Sequence, residues 1–105
     1  MAAKVFAMYT KPADEAAFNA RYFPGHVDLA KQIPGLQRFE VSRGLGKDAP
    51  YWLIAEMVYA DRDALMAAQG SPESAAARAD VQEFAADIIT VLLVDDELES
   101  WEPGR

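Results

Sequence analysis

His26 is the only histidine of a 105-residue chain, and it follows two aromatic residues at four-residue intervals. On one helix Phe18, Tyr22 and His26 share a face, which sets a titratable ring beside aromatic carbons. An imidazole titrates at about pH 6.5, close to neutrality, so it is suited to general acid–base work. His26 is therefore the candidate catalytic group. The plainer alternative is a histidine that caps a helix or bonds a carbonyl within the core.

The segment around it, FNARYFPGHVDLAKQIPGL from Phe18 to Leu36, is interrupted by Pro24-Gly25. Proline disfavours helical geometry at Phe23 but suits the first turn of a new helix. The pattern predicts a first helix ending near Phe23 and a shorter one carrying His26, Leu29, Ala30 and Ile33. Pro34-Gly35 then stops it. In the first turn of that second piece, His26 would feel the positive helix end and be held neutral. Asp28 faces away from it and is a poor orienting partner.

Glu56 is the second unusual residue, a carboxylate inside the apolar run YWLIAEMVY. A buried acid must be paired or protonated, and either state can serve chemistry. An ion pair with Arg38 or Arg43 on a neighbouring strand is the favoured expectation. Among the aromatics, Phe6, Tyr9, Tyr22, Phe39, Trp52 and Tyr59 can line an apolar cavity, although most aromatics at strand spacing are simply core. The expected substrate contacts are Tyr22, Phe6, Phe39, Trp52 and Glu56. One histidine and no cysteine supply no metal cluster. Gly44 to Gly46 lies between strands and not ahead of a helix, so no phosphate loop is expected. The expectation is a site without metal or other cofactor.

The elements that must position these groups are legible. Lys4–Lys11 reads as a strand ended by Pro12. Asp14 is a plausible N-cap for the first helix, with Glu15 at its positive end. Leu36–Arg43 alternates, with Phe39 and Val41 on one side. Tyr51–Tyr59 and Asp87–Val94 are apolar on both faces, so both faces need cover. Between them Asp61 caps a helix DRDALMAAQ, and Ser71-Pro72-Glu73 opens an alanine-rich one. The order is β-α-β-β-α-β with each helix in two parts. That is an α+β, ferredoxin-like arrangement: a four-stranded antiparallel sheet with helices on one face. No helix remains for the second face, so the simplest cover is another copy of the sheet, and a homodimer is expected.

Residues 1–94 are thus one domain, followed by an acidic tail, 95–105, in which Leu98 and Trp101 could dock. An apolar share of 51% against 26% charged is globular in character. A net charge of −7 with no basic stripe repels phosphate backbones, so nucleic acid is not an expected partner. No apolar run approaches the roughly 18 residues of a membrane span, and the N-terminus lacks signal-peptide character. A cytoplasmic location without membrane contact is expected.

Five segments in order carry a resemblance: KVFAMYTKP, FNARYFPGHVDLAKQIPGL, FEVSRG, PYWLIAEMVYAD and SPESAAARADVQEFA. Together, from about Val5 to Val94, the chain resembles the EthD family of the dimeric α/β-barrel superfamily. The resemblance implies a ferredoxin-like subunit whose sheet pairs with a second one to close a barrel. It also implies a pocket between sheet and helices for a small apolar or aromatic ligand. Relatives include proteins linked to ether catabolism, cofactor-independent lactone isomerases, and polyketide-modifying oxygenases and cyclases. An oxidoreductase or isomerase is the implied type of enzyme, and an accessory binding protein the alternative. His26 matches the histidine usually found after the family's first helix.

Overall fold

The structure, a computed structural model, describes residues 2–104. Strand β1 (Ala3–Tyr9) leads into helix α1 (Glu15–Arg21), which continues through a wide turn (Tyr22–His26) into α2 (Val27–Ala30). Strands β2 (Arg38–Arg43) and β3 (Leu53–Tyr59) follow, then helices α3 (Arg62–Gln69) and α4 (Pro72–Phe84), and strand β4 (Ile89–Val94). Against the expected limits β1 starts one residue earlier and ends two residues earlier, and β2, β3 and β4 each start two residues later, as fraying ends do. Asp14, Asp61 and Ser71 cap α1, α3 and α4, accepting the N–H groups of Ala17, Ala64 and Ser74 at 3.0, 2.8 and 3.1 Å. Each cap satisfies an orphan donor and contributes about 1 kcal/mol.

The sheet order is β2-β3-β1-β4, all antiparallel. Register places Ala7 opposite Ala55, Val5 opposite Met57 and Tyr9 opposite Leu53, so one face of the two central strands is a set of inward residues. The helices cover that face, and Ala3, Tyr9, Leu53, Ala55 and Tyr59 are buried beneath them. Lys4, Phe6, Met8, Ile54, Glu56 and Val58 alternate onto the other face, where no element of the chain lies over them. Between β2 and β3, the Gly44 N–H donates to the Trp52 carbonyl at 3.1 Å. A Cβ on Gly44 would collide with the Tyr51 carbonyl oxygen, so the close approach requires glycine.

The Pro24-Gly25 pair corrects one expectation. The first helix does not stop near Phe23 and restart; the chain stays helical from Glu15 to Ala30. The physical reason is a π turn. Proline has no N–H, and in an α-helix its ring meets the carbonyl four residues back. One wide turn, closed by the Val27 N–H on the Tyr22 carbonyl, accommodates it without breaking the rod. His26 therefore lies within a continuous helix and not at a helix N-terminus.

Candidate functional site

Phe18, Tyr22 and His26 form the predicted ladder on the inward side of this helix. Phe18 and Tyr22 stack with ring centres 5.2 Å apart, and Tyr22 lies 5.4 Å from His26. Tyr9 of β1 meets both Phe18 and Tyr22 edge-on, and Phe84 closes on the His26 ring from α4. The imidazole is only 7% exposed.

Its orienting partner is Asp80 on α4, with Nδ1 3.1 Å from Oδ2. Arg21 donates from Nη2 to Asp80 Oδ1 at 2.7 Å and to Glu83 Oε1 at 3.0 Å. Burial pushes the Asp80 carboxyl up, but the hydrogen bonds and charges of Arg21 and His26 outweigh it, and its pKa settles below the ordinary value. An ionised Asp80 can only accept, so Nδ1 of a neutral His26 carries the proton. Nε2 is left bare, as a base requires. Burial is also the main reason that His26 titrates below the ordinary imidazole value; Asp80 opposes the shift and Arg21 adds to it. The expected neutral histidine is thus obtained by desolvation and not by a helix end. Sequence reasoning missed Asp80 and Arg21. They are 59 residues apart, and a lone aspartate on an alanine-rich helix carries no local signal.

Beside His26 a cavity of about 190 Å³ opens between the sheet and α4. Its floor is small for a clear reason: Ala7 and Ala55 are paired across the central strands, and Ala30 and Ala77 stand among the helical residues over them. Val5, Met57, Phe39 and Val81 complete the apolar wall, and His26, Tyr9, Tyr22 and Tyr59 also line it. The Tyr22 and Tyr59 hydroxyls are buried without a hydrogen-bond partner among the described residues. Burial pushes Tyr22 up to about 12 and raises Tyr9 and Tyr59 as well. Tyr9 and Tyr22 influence one another's ionisation, though the Tyr22 oxygen reaches no partner at hydrogen-bond geometry. All three remain phenols near neutral pH.

Of the expected substrate contacts, Tyr22 and Phe39 line this cavity together with His26. Phe6 and Glu56 do not: they oppose each other in register on the sheet's outer face. Glu56 pairs there with Lys4 at 3.4 Å, and not with Arg38, which instead bonds Glu40 at 3.1 Å, or with Arg43. The neighbouring strand β1 puts Lys4 on the same face, whereas Arg43 turns to stack 3.9 Å from the centre of the Trp52 ring. Trp52 packs edge-on against Phe18, 5.4 Å between centres, outside the cavity lining. Among the described residues no group of three His, Cys, Asp or Glu side chains converges to hold a metal ion, and no helix is long and apolar enough to cross a membrane.

The strand order, the layered helices and the cavity beneath them define a ferredoxin-like α+β protein with a pocket between sheet and helices. The family model of the EthD domain matches residues 10–88, and the chain belongs to the EthD family. It is 35% identical over 97 residues to the uncharacterized 11.0 kDa protein in the thcB-thcC intergenic region of Rhodococcus erythropolis, covering 90% of this chain and 94% of that one. The crystal structure of an ethyl tert-butyl ether D (EthD) family protein from Bacillus halodurans is similar at a TM-score of 0.86 and 32% identity, over 92% of this chain and all of the other. A cofactor-independent oxygenase from Streptomyces nogalater, SnoaB, shares the fold at a TM-score of 0.66 and 18% identity, over 96% of this chain and 98% of its own.

Proposed function

We propose that the chain is a cofactor-independent enzyme that moves a proton on a small, apolar, oxygenated compound held in the cavity. The observation that carries this reading is His26: Nδ1 is held by an ionised carboxylate, and the bare Nε2 belongs to a ring that lines an apolar cavity. Such a base can accept a proton from an O–H, or from a C–H beside a carbonyl, becoming an imidazolium beside Asp80. The negative charge left on the substrate oxygen stays beside the imidazolium formed at His26, which offsets it. An isomerisation returns the proton to another atom of the same molecule. An oxidation passes the electrons to dioxygen, the co-substrate that an oxygenase such as SnoaB must use.

His26→Gln tests the assignment. It keeps a polar side chain of similar reach that cannot titrate near neutrality, so the fold should survive and turnover should fall by about 10²–10⁴. Full activity in that variant would remove His26 from the mechanism. Tight ligand binding by the wild type without any turnover would instead support a carrier or accessory protein using the same cavity.

The proposal includes a homodimer. The outer sheet face carries Phe6, Met8, Ile54 and Val58, joined by Leu92 and Val94 of β4, and no element among the described residues covers it. A second copy of this face would bury it by self-complementarity, the usual solution for a one-sided sandwich.

A further inference from the structure

The polar groups of the cavity are unevenly distributed in charge. None of the chain's 17 acidic residues lines it, although the net charge is −7. The charged or titratable groups that do line it, apart from the tyrosines, are His26 and Arg78. Arg78 differs from the other arginines among the described residues. Arg21, Arg38 and Arg62 are paired with carboxylates, and Arg43 lies on Trp52. Arg78 bonds only neutral oxygens: Nη1 donates to the Gln69 carbonyl at 3.2 Å and to Ser74 Oγ at 3.1 Å. These contacts fold the guanidinium back along α4 and fix its position while leaving Nε and Nη2 without a partner among the described residues.

The two ends of the cavity are separated along α4. His26 is anchored at Asp80, and Arg78 is anchored at Ser74, six residues earlier, about 9 Å along a helix axis. Of the apolar residues of α4 that line the cavity, Ala77 falls between these two anchors. A dry cavity of about 150 Å³ takes a benzene ring, so about 190 Å³ takes one six-membered ring with small substituents.

We infer that the ligand is a monocyclic carboxylic acid, and that Arg78 determines this specificity by receiving the carboxylate while the opposite end of the ring meets His26. This rests on the reading of the cavity as a ligand site, and adds one anionic substituent to the otherwise apolar compound proposed for it. A planar carboxylate matches a guanidinium fork, and an unpaired cation at the edge of an acid-free cavity in an acidic protein is the one feature that would draw an anion there.

Calorimetric titration of the purified protein with para-hydroxybenzoate and with its neutral isostere para-hydroxybenzamide tests the inference. The acid should bind about 10- to 100-fold more tightly, the range of a hydrogen bond to a charged group. Arg78→Gln should erase that preference while amide binding stays as in the wild type, which also certifies the fold of the variant. His26→Gln should keep the preference. Equal binding of acid and amide by the wild type would overturn the carboxylate assignment and leave the ligand cavity standing. Failure of both probes to bind at millimolar concentration would overturn the two together.

Discussion

With one histidine in the chain, its ring protons can be followed by NMR without overlap, and His26 gives the sharpest predictions. Burial should place its titration below the ordinary value of about 6.5. Asp80→Asn removes the hydrogen bond and the negative charge that hold the pKa up, so His26 should titrate lower still; an upward move would contradict the arrangement. If Asp80 acts by positioning, Asp80→Asn should also lower kcat more than it raises KM. The shifts carry a pH dependence of stability. The folded chain binds fewer protons than the unfolded one below pH 6.5, so the His26 contribution is complete above that pH and is lost as pH falls through the lower folded value. Asp80 acts with the same sign at lower pH, since its folded pKa is also depressed. Urea midpoints should therefore fall on acidification from pH 7 towards pH 4, and a midpoint that rises over that range would refute the sign.

Among the elements, the π turn and the β2–β3 connection are under the tightest backbone control. Pro24 forbids an ordinary helical turn, and the wide turn sets where His26 points. Pro24→Ala restores the missing donor and allows an α-helical turn. The helix should be retained or gain stability, while the contact between His26 and Asp80 is lost and the His26 titration shifts. An unchanged titration would show that packing against Phe84 and Tyr22, and not the proline, holds the ring. Gly44→Ala should destabilise the fold by about 1–3 kcal/mol, because backbone must move to admit the Cβ. A denaturation midpoint equal to that of the wild type would disprove the close approach. At the end of β4, Arg62 donates to both Asp95 oxygens at 2.9 and 2.6 Å and holds that carboxyl down to about 2, fastening the strand to α3. Past this clamp the described residues form no helix or strand, and Leu98 and Trp101 stand exposed.

At the scale of the molecule, the extents are 44 × 36 × 20 Å. The short axis is the thickness of one sheet and one layer of helices, which leaves the outer sheet face without a third layer. Val91, Leu92 and Leu93 of the edge strand β4 are each about half exposed, a run of apolar residues that a stable monomer would leave in water. Ile54→Glu places a charge at the centre of the outer face. In the proposed homodimer it should weaken association by orders of magnitude, read by sedimentation, while the helix-covered core remains intact. An unchanged sedimentation coefficient would reject this face as the contact. Truncation after Val94 should weaken the same association if Leu98 and Trp101 dock on the partner, and an unaltered dissociation constant would reject the tail contact.

Local patterns in the sequence were sufficient for the element order, the caps, the four-residue aromatic ladder and the two apolar faces of β3; the second run read as a two-faced central strand, β4, lies at the sheet edge beside β1. Periodicity and capping act over a few residues and are written where they act. The ferredoxin-like sheet and the family were legible for the same reason, since both are ordered sets of local segments. The tertiary structure alone decided what crosses between segments. It chose Asp80 for His26 and Lys4 for Glu56, because ion pairs are settled by register and helix packing over separations of about 50 residues. It sorted the aromatics, sending Tyr22 and Phe39 to the cavity and Phe6 to the opposite face, because a strand's alternation states that two faces exist but not which one the helices cover. It also made the cavity itself, from alanines that are unremarkable one at a time and leave room only when Ala7, Ala55, Ala30 and Ala77 converge.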